Sequence, residues 1–220
     1  MMIDQKPTRD ELERLTGAEM HLQGCDLAGL DLSRLDLSGW HFERCNLTGA
    51  KLNSARLEES RFAGCRAAAA NFVAAQILET QIEGGDFSNA KFRGATLTSA
   101  KISRCKMTGA DFSEAQTIGL ELEEVLLVLA ILPKLSFRKA NLRQVDFSEA
   151  DLRGCDFRDA VFEDCRLRDA MLTTARFEGA DLRGADLGGV KLADARGFKG
   201  AIISKGQAAD LLGQLGLKVI

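Results

Sequence analysis

Residues 140–159 read ANLRQ VDFSE ADLRG CDFRD, four groups of five with Leu or Phe in the third place of each. The same spacing runs from Leu22 to Leu192 through 35 positions, of which 33 are Leu, Phe, Ile or Met. The two exceptions are Ala67 and Thr117. A second series of small residues, chiefly Ala, lies two positions before the first, and Asp or Asn often stands between them. This regularity across most of a 220-residue chain indicates a repeat array.

A period of five fits neither an α-helix nor a flat strand. On a helix each step of five residues rotates about 500°, so the apolar residues would scatter around the axis. On a straight strand an odd step sends alternate side chains to opposite faces. If the chain turns a corner every five residues, both series face one interior axis. We therefore predict a four-sided solenoid with coils of about twenty residues, stacked at ~4.8 Å into a rod about 40 Å long.

The pentapeptides ADLRG, ADFSE, CDFRD and ANLRQ resemble the A(D/N)LXX consensus of the pentapeptide-repeat proteins. The resemblance covers residues 20 to about 200 and implies an all-β fold, a right-handed quadrilateral β-helix. On this basis residues 1–19 form an N-terminal cap, residues 20–202 form the β-helix, and residues 203–220 form a C-terminal helix and tail.

Both ends carry capping boxes that predict short helices. Thr8 is followed three positions later by Glu11, and Ser204 by Gln207. The second helix would carry leucines at helical spacing. They could cover the last coil or pack against a second copy of the chain.

GVKL at 189–192 together with QAADLLGQLGLKVI at 207–220 is similar to the ending of the Qnr-type quinolone-resistance proteins. The resemblance implies a tail-to-tail homodimer, with contacts from Leu211, Leu212, Leu215, Val219 and Ile220. It also implies a rod that imitates duplex DNA and protects DNA gyrase or topoisomerase IV from quinolones or a related toxin. The sequence departs from the Qnr pattern in one respect, because no loop breaks its phase between residues 22 and 107.

The charge pattern gives that function limited support. The net charge of −3 provides no basic footprint, so we expect no direct binding of nucleic acid. Acidic and basic residues nearly balance on each predicted side, which is a poor copy of DNA at one charge per ~1.7 Å. The candidate partner-binding residues are therefore local acidic groups: Glu121, Glu123 and Glu124 in one cluster, and Asp146, Glu149, Asp169 and Asp186 near the predicted dimer contact. The alternative function is a structural or scaffolding rod with no topoisomerase role.

The stretch 115–135 is the least regular part of the repeat. Here the small series becomes bulky and outward positions become apolar, so we expect a kink or short helix within 115–125. Val125–Leu132 would then be buried under that excursion, or Leu126, Val128, Leu129 and Ile131 would form an exposed partner patch. Eight apolar residues are too few for a membrane span, which needs about 20. The N-terminus lacks the apolar core of an export signal, so we expect a cytoplasmic protein.

Nothing in the sequence points to catalysis or a cofactor. No GxSxG, HExxH, P-loop or GxGxxG motif occurs, and a non-enzyme is expected. All six cysteines fall at multiples of five, in the small inward series, which predicts buried free thiols rather than disulfides or a metal site. His21 and His41 stand twenty residues apart and should lie on adjacent coils, where a metal pair is a lesser alternative.

Overall fold

The computed structural model describes residues 1–191 and 196–219. In this range the chain winds into stacked coils of twenty residues, and each strand pairs in parallel with the strand one coil away, as in His21 with His41. The strands of the first side, in order, are β1 Met2–Ile3, β2 His21–Gln23, β3 His41–Glu43, β4 Arg61–Arg66, β5 Gln81–Asp86, β6 Lys101–Lys106, β7 Glu121–Glu123, β8 Asn141–Arg143 and β9 Val161–Glu163. A two-stranded ladder joins β10 Cys165–Arg166 to β11 Ala185–Asp186, and the helices are α1 Arg9–Glu13 and α2 Lys205–Gly213.

We number the coils from residue 21, so that coil 1 is 21–40, coil 2 is 41–60, and so on. Sides 1 to 4 are the successive pentapeptides of each coil, 21–25, 26–30, 31–35 and 36–40 in coil 1. Sides 2, 3 and 4 are joined by single parallel bridges at the same spacing, such as Asp26 with Asn46 and Asp36 with Arg56. This architecture confirms the predicted quadrilateral β-helix.

A left-handed residue makes each corner. Counted within each side, where the Leu or Phe is the second residue, the fourth residue typically has positive φ. Examples are 64° at Arg34 and 54° at Glu79. The backbone then closes a tight turn, as where the Leu35 amide donates to the Leu32 carbonyl at 3.3 Å. The first-place Asp supports the turn, because the Ser33 amide donates to Asp31 Oδ1 at 3.0 Å. The turn chemistry therefore recurs with the same period as the core.

The Leu/Phe series fills the shaft of the rod. On side 3 the rings of Phe72, Phe92 and Phe112 are fully or almost fully buried and stack at 4.9 and 4.8 Å between centroids. These spacings match the distance between paired strands, about 4.8 Å, so each ring contacts its equivalent one coil away. On side 4 Phe177 stacks on Phe198 at 4.6 Å, 21 residues on, since the last coil contains one extra residue.

Both ends of the shaft are covered. Leu12 of α1 is completely buried on the first coil, and Arg9 donates to the Asp31 carbonyl at 2.6 Å and the Ser33 carbonyl at 3.1 Å. Both predicted capping boxes form, at Thr8 with Glu11 and at Ser204 with Gln207. Strand β1 extends side 1 by one rung, which the sequence analysis did not predict.

The short helix expected within 115–125 does not form. Glu121–Glu123 is strand β7, and Val125–Leu132 continues the repeat in phase. Val125, Leu127, Ala130 and Leu132 point inward and are buried. Leu126 and Leu129 point outward and are 44% and 54% exposed. Apolar side chains at outward positions do not break the coil, because solvent exposure of single leucines is tolerated in folded proteins.

Within the described residues, no helix combines the length and the hydropathy required to cross a membrane.

Candidate functional site

The predicted acidic cluster on side 1 lies beside basic side chains of the adjacent coils. Glu121 Oε2 is 3.0 Å from Lys101 Nζ on the coil before it. Arg143, on the following coil, pairs with both Glu123 and Glu124, the second at 3.5 Å. The three carboxylates are therefore charge-compensated where they lie.

The four predicted acids of side 2 divide into two pairs. Asp146 is 3.2 Å from Arg166 and Asp186 is 3.1 Å from Arg168. The pKa of Asp186 is lowered chiefly by the Gly188 amide that donates to its carboxylate, and also by Arg168. Glu149 and Asp169 are exposed at left-handed corner positions of adjacent coils, and among the described residues neither has an ion-pair partner. These two carboxylates are the uncompensated acids of the predicted set.

The basic partners of these acids were missed by the sequence analysis. Lys101, Arg143, Arg166 and Arg168 stand 18 to 20 residues from the carboxylates they contact. One coil is twenty residues long, so pairing charges at that offset would have revealed the compensation.

An exposed apolar patch lies at the middle of the rod, and we define it as Leu126, Val128, Leu129 and Ile131. Leu126 and Leu129 are its most exposed members on side 2, and Ile131 continues it around the corner onto side 3. Charged residues border it on the adjacent rungs, since Leu126 pairs with Lys106 on one coil and Asp146 on the other. Of the two alternatives offered for this stretch, the outward positions of Leu126, Leu129 and Ile131 agree with the exposed patch.

The C-terminal helix α2 is fastened to the last coil by glutamine side chains. Gln207 Nε2 donates to the carbonyls of Leu182 and Ala185 at 2.7 and 2.6 Å, and Gln214 Nε2 donates to the Val190 carbonyl at 2.7 Å. These side-chain amides donate to carbonyls of the last coil, where no further coil supplies backbone amides.

The predicted dimer residues are mostly on the open surface of this end. Leu211 is partly buried against the core, whereas Leu212, Leu215 and Val219 are exposed. Ile220 lies outside the described residues. The helix therefore covers the coil with one edge and presents apolar side chains with the other.

The cysteines and histidines form no reactive centre in the described residues. All six thiols are free and buried, and burial raises the pKa of Cys105 and of Cys155 to about 12. The Cys105 and Cys155 thiols therefore stay protonated at neutral pH and are poor nucleophiles. The His21 and His41 rings lie 6.1 Å apart on adjacent rungs, and His21 Nε2 is 3.1 Å from Glu43 Oε2. Among the residues with described positions, no group of three His, Cys, Asp or Glu could hold a metal ion.

Comparison with known proteins places this arrangement among repeat proteins. A model described as a pentapeptide repeat region matches residues 15–90 and 35–112, and a model of nine pentapeptide repeats matches residues 137–190. No curated protein matches the sequence significantly.

The similar solved structures include QnrB1, a plasmid-mediated fluoroquinolone resistance protein. A trypsin-treated variant of it is 23% identical with a TM-score of 0.66, covering 100% of this chain and 97% of that one. The full-length form is 22% identical with a TM-score of 0.63, covering 98% and 97%. HetL, from the cyanobacterium Nostoc sp. strain PCC 7120, is 26% identical with a TM-score of 0.42, covering 93% and 87%.

Proposed function

Since this chain belongs to the pentapeptide-repeat family, we propose that it is a non-catalytic protein-binding rod that protects DNA gyrase or topoisomerase IV from fluoroquinolones. The observation that carries the proposal is the match of the fold to QnrB1 along the whole of both chains. Two rods that match along their whole length can present their sides to the same kind of partner. Such a partner implies that the protein works in the cytoplasm and does not itself bind nucleic acid.

The acidic side chains can serve such a partner although most are paired. Exposed ion pairs contribute only about 0–1 kcal/mol each, so Arg143 can leave Glu123 and Glu124 when a cation of the partner replaces it. Glu149 and Asp169 need no such exchange. We therefore assign the first contacts to Glu149 and Asp169 and subsequent ones to the compensated acids.

A supercoiling assay with purified gyrase and a decatenation assay with purified topoisomerase IV, each with a fluoroquinolone, test the proposal. The rod should restore the activity of at least one enzyme in the presence of drug, and Glu149→Lys with Asp169→Lys should weaken that protection. The matched control is Glu59→Lys with Glu79→Lys, which reverses two exposed corner acids on side 4 and should protect like the wild type. Absence of protection by the wild-type rod at micromolar concentration with both enzymes would reject the function.

The partner-facing rod is also proposed to be a tail-to-tail homodimer. Leu212, Leu215, Val219 and Ile220 would pack against a second copy, with Leu211 at the edge of the contact. Leu212→Asp should halve the mass measured by sedimentation, whereas Ile118→Asp, at an exposed apolar residue far from α2, should leave it unchanged. An unchanged mass for Leu212→Asp would remove the helix from the contact.

The apolar patch favours a second candidate, a scaffold that docks another protein at the middle of the rod. Burial of Leu126, Leu129 and Ile131 in an interface would be favourable at about 25 cal/mol per Å². Leu129→Asp should then abolish binding of that partner and leave fluoroquinolone protection intact. Loss of protection with Leu129→Asp would instead assign the patch to the topoisomerase contact.

A further inference from the structure

The backbone ladder of side 4 is interrupted between coils 5 and 6. Between coils 4 and 5 this side carries four hydrogen bonds of 2.7–3.0 Å, donated by the amides of Leu97, Ser99, Gln116 and, at the corner onto the next side 1, Glu121. Between coils 6 and 7 the equivalent donors, at 2.8–2.9 Å, are Phe137, Lys139, Asp156 and Val161. Across the gap between coils 5 and 6, which lies wholly in the described range, none of the equivalent amides donates a backbone hydrogen bond: those of Thr117, Gly119, Ser136 and Asn141. We call this gap, residues 115–122 against 135–142, the seam.

A crevice of about 700 Å³ opens at the seam. A single side-chain contact spans it, from Thr117 Oγ1 to the Ser136 carbonyl oxygen at 3.4 Å. That contact keeps the two backbones too close for an inserted strand, which would need about 9.6 Å between the coils. The seam is therefore a widened joint and not a ready slot for a peptide.

Two residues at the seam depart from the repeat. Thr117 replaces the large apolar residue in the column that holds Leu97 above it and Phe137 below it. Leu120 replaces the small residue in the column that holds Ala100 and Ala140. A short polar residue thus stands where packing needs bulk, and a bulky one stands where packing needs a small residue.

The coil remains joined on the other sides. Lys106 pairs with Leu126 on side 2, and Asp111 pairs with Ile131 on side 3. On side 1 Lys101 pairs with Glu121 before the seam, and Glu123 pairs with Arg143 where the seam ends. Side 2 lies opposite side 4 in a four-sided rod, so any further widening of the seam must rotate the two halves about side 2.

We propose that the seam is a hinge, at which residues before 120 tilt relative to residues after 136 about the intact ladder of side 2. The unpaired amides and carbonyls have no backbone bonds to break, so side 4 bends more easily at the seam than between the adjacent coils. Hinges of this kind concentrate motion at a few residues between rigid bodies. This inference stands apart from the proposed function.

Hydrogen exchange of the wild-type chain provides the first test. The amides of Thr117, Gly119, Ser136 and Asn141 should exchange at least about 100-fold faster than their equivalents one coil away. Equal protection at the seam and in the adjacent coils would show a closed ladder and overturn the proposal.

Distances between spin labels test the motion itself. Labels at Arg56 and Arg176 on side 4 lie six rungs apart, about 29 Å, as do labels at Thr48 and Arg168 on side 2. The side 4 pair should give the broader distance distribution because side 2 is the pivot. Distributions of equal width would mean a static opening and would overturn the hinge.

A repacked variant adds a matched comparison. Thr117→Leu with Leu120→Ala restores the repeat at the seam, and it should slow exchange there and narrow the side 4 distribution. Ala67→Leu fills the other exception of the Leu/Phe series, where the ladder is complete, and should change neither measurement. If the double variant does not fold, the wild-type exchange and distances still decide the question.

Discussion

Removal of one ring from the side 3 stack should destabilise the rod by about 4–5 kcal/mol. Phe92 is fully buried, and its ring lies 4.9 Å from Phe72 and 4.8 Å from Phe112 with the planes within 5° and 7° of parallel. Truncation of a buried Phe to Ala costs about 3–5 kcal/mol, and each aromatic pair adds about 0.5–1.5 kcal/mol, although the two contributions overlap. Phe92→Ala should therefore fall at the upper end of the range for core truncations.

Urea unfolding of Phe92→Ala, Phe92→Leu and Ile118→Ala measures this effect. Phe92→Leu should cost about 1–3 kcal/mol, less than Phe92→Ala, because Leu occupies the same column at Leu52 and Leu132 and fills most of the volume but removes both ring pairs. Ile118, which is 74% exposed, should tolerate Ala within about 0.5 kcal/mol. A Phe92→Leu cost below about 0.5 kcal/mol would show that the stacked rings contribute nothing beyond the volume they fill.

Three further predictions concern the corners and the titrating groups. Gly85→Ala should cost about 2–3 kcal/mol in urea unfolding, because φ is +119° and a Cβ would overlap a carbonyl oxygen of the adjacent coil, whereas Gly94→Ala, with open space around it, should cost about 1 kcal/mol. Burial raises the pKa of Cys155 to about 12 in the folded chain, against about 8.5 when unfolded, so its contribution to stability is complete below pH ~8.5 and is lost as pH rises towards 12; Cys155→Ala should flatten the alkaline fall in Tm. The Arg158 side chain lowers the pKa of Asp156, so that contribution is complete above the unfolded pKa of about 3.9 and is lost as pH falls below it, and Arg158→Gln should reduce the acid-induced fall in Tm. If Tm falls as steeply with decreasing pH in Arg158→Gln as in the wild type, the Asp156–Arg158 pair does not contribute to the acid dependence of stability.

The fold could be predicted from the sequence because one constraint repeats at every fifth residue. Each inward position has the same requirement for a large buried apolar side chain, so the pattern can be recognised despite occasional exceptions such as Ala67. The burial of the cysteines could be predicted from the same phase, and all six are buried in the structure as free thiols. Capping boxes are local motifs, and both formed where the sequence indicated them.

The surface could not be predicted as well, because outward positions are constrained by neighbours one coil away. The excursion expected within 115–125 rested on apolar residues such as Leu126 and Leu129, yet the unbroken phase was the better guide. Thr117 was visible as an exception, but the lost ladder at Ser136 depends on packing with Leu120 and on both flanking coils. Ion pairs such as Glu121 with Lys101 need the coil length before they can be read.

Equilibrium binding of the wild-type chain to purified gyrase and topoisomerase IV, with duplex DNA as competitor, tests the central functional claim most directly. The account predicts binding to at least one enzyme that duplex DNA displaces and that weakens when Glu149 and Asp169 are both replaced by Lys. No binding at tens of micromolar, or binding that duplex DNA leaves unchanged, would contradict it.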